Sequence, residues 1–197
     1  MLSWYDYHMQ ISSLIFFLLL FIFQIFWREQ LFYKIRIFLI LAISMVIFFA
    51  IQISWAQYSL WQSIEPSKFL LPPYASISYF LQYAAWKFWV PYVLSFLIGL
   101  IFFLLAKKYN QHYGNQFFYD DELYVIWLSI FLVGHPLWIF YLPIIILVVG
   151  LVSGARSFIW KNNDKLPLYY FWLPVAIFVI IISKWLSALP LFYLSKV

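Results

Sequence analysis

Seven of the 197 residues are acidic, and three of them stand together: Asp120, Asp121 and Glu122, with Asp6, Glu29, Glu65 and Asp164 elsewhere. An aspartic hydrolase needs two carboxyls from different segments sharing a proton, one activating water while the other polarises the carbonyl. Asp120 and Asp121 cannot form that pair with each other on one helix, because neighbouring side chains point about 100° apart. The same acids also suit a helix N-terminus, where negative charge offsets unpaired N–H groups by ~0.3–1 kcal/mol each. His135 is the one histidine within an apolar run. It has no partners at metal or haem spacing and reads as a hinge histidine bonded to a neighbouring carbonyl. The absence of cysteine excludes disulfides, thiolate-held iron–sulfur clusters and Cys-ligated zinc. No metal or cofactor is expected. Gln24 and Gln52 read as amides that hydrogen-bond between helices, and Lys184 beside Trp185 as an interfacial anchor.

The elements that must position these residues are membrane helices. The chain is 66% hydrophobic and 10% charged, with mean hydropathy +0.91, whereas soluble domains carry roughly 25% charge. Continuous apolar runs such as 16–23 and 144–149 lack the alternation of a transmembrane barrel. An all-α, polytopic fold in a single membrane domain (1–197) follows, with spans predicted near 11–27, 35–56, 88–106, 123–133, 136–155 and 167–189. Residues 123–155 contain no Asp, Glu, Lys or Arg. As one helix they would reach about 50 Å, well beyond a hydrocarbon core of ~30 Å, so the run must fold back. Gly134-His135-Pro136 is the natural hinge of a helical hairpin. Its first arm, about 17 Å long, spans as a short helix or is re-entrant.

Seven of the eleven tryptophans (Trp27, Trp55, Trp61, Trp86, Trp89, Trp160 and Trp185) fall at or just beyond these span ends, where amphipathic rings prefer to sit. The basic clusters are Arg28, Lys34 and Arg36; Lys107 and Lys108; and Arg156, Lys161 and Lys165. All three share one side if 123–133 and 136–155 form the hairpin, and the positive-inside rule makes that side cytoplasmic with both termini outside. No basic run is long enough for nucleic acid. The amino terminus lacks a positive region and cleavage site, so the first helix is expected to be retained. Residues 57–87, rich in aromatics, are expected to lie along the membrane surface or fold onto the bundle. Gly150 and Gly154 form a small-xxx-small pair that permits close helix approach, within the chain or between chains.

The carboxyl-terminal half resembles the membrane core of the type IV prepilin peptidases, a family that includes the archaeal preflagellin peptidases. In that family a cytoplasmic loop leads to G-x-G-D, a short helix, a glycine turn, a helix with G-x-x-x-G, a basic loop and a proline-led last helix. Here Lys107-Lys108, Phe118-Tyr119-Asp120-Asp121, Gly134-His135-Pro136, Gly150 with Gly154, Lys161 to Lys165, and Leu166-Pro167 follow in the same order over about residues 90–185. The resemblance implies an aspartic endopeptidase of a bacterial cytoplasmic membrane, acting on the leader of a pilin-like protein, with Asp120 or Asp121 carried over as catalytic.

The sequence departs from that pattern where the family places its first aspartate, at the cytoplasmic end of the first helix. Gln24 or Ile25 stands near that place and no proline follows; Glu29 is the carboxylate within reach. The second motif has lost both glycines, and the cysteine-bearing domain of larger members is absent. The candidate set is therefore Asp120, Asp121 and Glu29, in a divergent or inactive peptidase. The alternative is a non-catalytic structural subunit of a larger membrane complex, whose partners are the bilayer and other membrane subunits. A transporter or channel is disfavoured, since neither ionisable groups at membrane depth nor an inverted repeat stands out.

Overall fold

The computed structural model describes residues 4–114, 118–160, 169–190 and 192. Side chains are described within those ranges except at 4–7, 28, 29, 32, 120 and 156–160. All its regular structure is helical, with no strand among the described residues. In order these are α1 (Trp4–Phe26), α2 (Arg28–Ser63), α3 (Glu65–Lys68), α4 (Ile77–Ala84), a π-helical turn (Ala85–Trp89) and α5 (Val90–His112). Then follow α6 (Asp120–Val133), α7 (Trp138–Trp160), α8 (Tyr169–Ile181) and α9 (Ser183–Leu186).

Four stretches among the described residues are long and apolar enough to cross a bilayer: His8–Phe26, Tyr33–Ser63, Ile77–His112 and Trp138–Ala155. They are compatible with a multi-pass membrane protein. The third begins well before the predicted 88, because α4 runs through the π turn directly into α5. Of residues 57–87, those up to Ser63 continue α2 and those from Ile77 lead into α5. Leu71, Phe80, Ala84 and Phe88 pack with Ile53 of α2 into a small hydrophobic cluster of their own. Within the predicted span 167–189, the described residues form the thirteen-residue apolar α8, a turn at Ile182 and the short α9.

The main core is built around α6. Leu123, Val125, Ile126, Leu128, Ile130, Phe131, Leu132 and Val133 are all buried, and α6 touches α1, α2, α5, α7 and α8. Helix α5 runs antiparallel to it, since the Phe103 ring meets Tyr124 at 5.0 Å and Phe96 meets Phe131 at 5.7 Å. Gly99 makes this approach close: a Cβ there would lie 2.6 Å from Trp127 Cδ1 and 3.0 Å from its carbonyl oxygen. Helix α1 is antiparallel to α8. Gln24 near the end of α1 bonds Tyr169 at the start of α8, and Ser183 just past α8 bonds Gln10 at 3.3 Å.

Helix α6 ends at Gly134, whose φ of 79° is open to glycine and strained for other residues. The chain then turns through His135, Pro136 and Leu137 into α7. Within α7, Gly150 and Gly154 face open space, with no packing contact at either among the described residues.

Candidate functional site at the basic end of the bundle

The ends of α1 and α5 and the starts of α2, α6 and α8 gather at one end of the bundle. Exposed Lys34, Arg36, Lys107 and Lys108 lie there. The Arg36 guanidinium sits 5.2 Å from the centre of the Tyr124 ring, which ties the start of α2 to α6. Asn110, almost wholly buried, ties the end of α5 to the segment leading into α6. Its amide donates to the Phe118 carbonyl at 2.7 Å and accepts the Phe118 N–H at 3.0 Å. This two-bond clamp fixes where the acidic triplet enters.

The triplet is divided by helix geometry. Tyr119 is the N-cap of α6, so Glu122 occupies the third helical position, from which a carboxylate can reach back to the N-cap N–H. Its Oε2 accepts that N–H at 3.4 Å, while its Oε1 accepts the Trp172 indole N–H at 3.0 Å. Glu122 is only 1% exposed. It stands one residue before the apolar run, and burial pushes its carboxyl up to about 7 despite the opposing pull of its two donors. Asp121 is half-buried. The side chains of Asp120 and Glu29 lie outside the described residues, as do Lys161, Asp164, Lys165, Leu166 and Pro167.

Gln24, near the position where the resemblance expects the first aspartate, is also buried. Its Nε2 donates to the Tyr169 carbonyl at 2.8 Å, and its Oε1 has no donor among the described residues. Tyr169 and Trp172 lie one turn apart on α8, so α8 joins Gln24 of α1 to Glu122 of α6 through consecutive turns. The fully buried Tyr141 of α7 adds a third bond, donating to the Trp172 carbonyl at 3.1 Å. Polar groups of three helices thus converge on the first turn of α8.

Asp121 and Gln24 lie at the same end of the bundle as the exposed Lys34 and Lys107, and among the described acid side chains the one that turns inward is Glu122, which the resemblance passes over. Its signal was present in the sequence: of three acids opening a helix, the third is the one spaced to bond the N-cap. Trp172, Tyr169 and Asn110 carried no such signal, since their partners lie on other helices or on the backbone. Among the described residues no group of three or more His, Asp or Glu side chains is placed to hold a metal. His135 receives the Trp138 indole N–H on Nδ1 at 3.3 Å, within the turn and away from the acids. Compared with known proteins, the chain matches no family model, no curated protein and no solved structure.

Proposed function

We propose that this chain is a non-catalytic structural subunit of a larger assembly in a bacterial cytoplasmic membrane, with a fold resembling the prepilin peptidase core. One observation carries the reading. Beside Asp120 and Asp121, which the resemblance would make catalytic, Glu122 has both oxygens engaged by Trp172 and Tyr119, and Gln24 has its amide on the Tyr169 carbonyl. These groups hold helices together. A glutamine binds water without exchanging the shared proton on which an aspartic dyad depends. The outward-facing Gly150 and Gly154 support a further helix docking from another chain. The six-span arrangement, with the Gly134 turn as a hairpin and both termini outside, is part of the same proposal. Lys34, Arg36, Lys107 and Lys108, exposed together at one end of the described bundle against Lys68, Lys87 and Lys184 at the other, support that orientation.

The competing reading is a divergent aspartic peptidase acting on a pilin-like leader. Half-buried Asp121 beside a carboxyl held near neutrality favours it. Co-expression with a prepilin, followed by immunoblotting for the shortened product, separates the two. We expect no leader cleavage, together with migration of the gently solubilised protein in a complex larger than its own 23.8 kDa. Cleavage that disappears in Asp121→Asn would sink the structural reading.

A further inference from the structure

Glu122 faces α8 through Trp172. Tyr124 follows it by two residues, which turns its side chain about 200° round α6 at roughly 100° per residue, away from α8 and toward α2 and α5. The Arg36 guanidinium of α2 lies 5.2 Å from the Tyr124 ring centre, and the Phe103 ring of α5 lies 5.0 Å from it. Phe96 meets Phe131 and Phe103 meets Tyr124, so α5 and α6 advance together in opposite directions. Lys107, one turn beyond Phe103 and on the same face of α5, therefore stands level with the first residues of α6. Tyr124 has a cation from each neighbouring helix, Arg36 and Lys107, with Lys34 and Lys108 close by in the chain.

These polar groups are unspent. Among the described residues the Tyr124 hydroxyl makes no hydrogen bond, and none of Lys34, Arg36, Lys107 and Lys108 makes an ion pair, although all four are exposed. The described carboxylates at this end are Glu122, turned inward, and half-buried Asp121, so these side chains carry an excess of positive charge. An arginine laid against an aromatic ring keeps its planar fork of N–H groups, which matches phosphate oxygens two at a time. What lies above Arg36 is aliphatic. Ile40 and Ile47 continue its face of α2 and are 62% and 44% exposed. Ile47 lies eleven residues past Arg36, about 17 Å at 1.5 Å per residue, close to half of a ~30 Å hydrocarbon core. An anion seated on Arg36 is thus at headgroup level, and the apolar face above it runs through the hydrocarbon of the same leaflet. A free phosphate would leave that face unused, and a choline headgroup would bring its own cation against Lys107 and Lys108.

We propose that Arg36, Tyr124 and Lys107 bind the phosphate of an anionic phospholipid in the leaflet at the basic end, with one acyl chain along Ile40 and Ile47. The site rests on the membrane reading of the fold and is independent of which side the basic end faces and of whether the acid cluster is catalytic. The test titrates the full chain, in dodecyl maltoside micelles, with phosphatidylglycerol or phosphatidylcholine of identical acyl chains, and counts bound lipid by native mass spectrometry. Saturable binding of phosphatidylglycerol is expected, about tenfold tighter than phosphatidylcholine. Arg36→Gln and Lys107→Gln should each weaken it about fivefold, and Tyr124→Phe about threefold. Arg36→Lys, which keeps the charge and loses the fork, should weaken it about twofold. Lys68→Gln, an exposed cation of the other end, should leave it unchanged. Equal uptake of both lipids, or uptake indifferent to Arg36→Gln and Lys107→Gln, means ordinary annular contact and overturns the site while leaving the membrane fold intact. Displacement of the lipid by millimolar inorganic phosphate overturns the acyl contact. Tight binding of a hexaglutamate peptide, without preference for phosphatidylglycerol, overturns the lipid in favour of an acidic protein segment. A chain that stays in solution without detergent and binds neither lipid overturns the membrane reading itself.

Discussion

Glu122 sits where two opposing effects meet. Removing a carboxylate from water disfavours its charged form, while the indole of Trp172 and the N–H of Tyr119 favour it; burial prevails and the carboxyl titrates near 7. The consequence for stability has a definite sign. The folded value lies above the ordinary 4.5, so the folded protein binds the proton more tightly than the unfolded chain between these values. Stability from this group is fully present below about 4.5 and is lost as pH rises through about 7. Unfolding in dodecyl maltoside micelles should show that decline, and Glu122→Gln, which cannot titrate, should flatten it. Trp172→Phe removes the donor that serves the charged form. It should destabilise by ~1–3 kcal/mol, more at pH 8 than at pH 5. A wild-type profile indistinguishable from Glu122→Gln across this range would mean that the carboxyl reaches water.

At the scale of elements, helix packing separates two glycine signals that look alike in sequence. The pair Gly150 and Gly154 has the familiar small-xxx-small spacing, yet nothing lies within 4 Å of a Cβ placed at either. Lone Gly99, in no motif, is held against α6, where a Cβ would lie 2.6 Å from Trp127 Cδ1. Gly99→Ala should therefore cost ~1–3 kcal/mol of overpacking against Trp127, whereas Gly150→Ala should be neutral or gain up to ~1 kcal/mol of helix propensity. Thermal denaturation of the two variants in the same detergent checks both, and equal losses would contradict the packing of α5 on α6. The same contrast shows what could be read from the sequence. That the chain is helical and apolar was legible in uninterrupted runs such as 144–149, and the turn at Gly134 in its Gly-His-Pro chemistry. Which helix occupies the centre was not. Helices α6 and α7 are both strongly apolar, and lipid tails are as apolar as a protein core, so hydropathy does not separate buried Leu128 from exposed Leu147. Helix ends were blurred for a related reason: α4, the π turn and α5 form one apolar course, and Pro91 falls in the first turn of α5, where proline is tolerated. At the acid cluster, the family pattern drew attention to Asp120 and Asp121, while the position relative to the N-cap selected Glu122.

On the scale of the whole molecule, α2 and the 77–112 course are longer than a bilayer requires. The 31 residues Tyr33–Ser63 and the 36 residues Ile77–His112 reach about 46 Å and 54 Å at 1.5 Å per residue, against a ~30 Å core. Their surplus lies together at the end away from Lys34, Arg36, Lys107 and Lys108, where Ile53, Leu71, Phe80, Ala84 and Phe88 form a second small core. A separate hydrophobic cluster is what two helices extending past a bilayer side by side would require, because each would expose to water a face that lipid covers below. In the orientation proposed above, Lys34, Arg36, Lys107 and Lys108 face the cytoplasm and the second cluster lies on the opposite side. With no native cysteine, single substitutions report this directly. Gln62→Cys, exposed near the outer end of α2, should react with a membrane-impermeant maleimide in intact cells, and Lys108→Cys only after the membrane is opened. Labelling of Lys108→Cys alone in intact cells would invert the orientation, and equal labelling of both would remove the crossings between them.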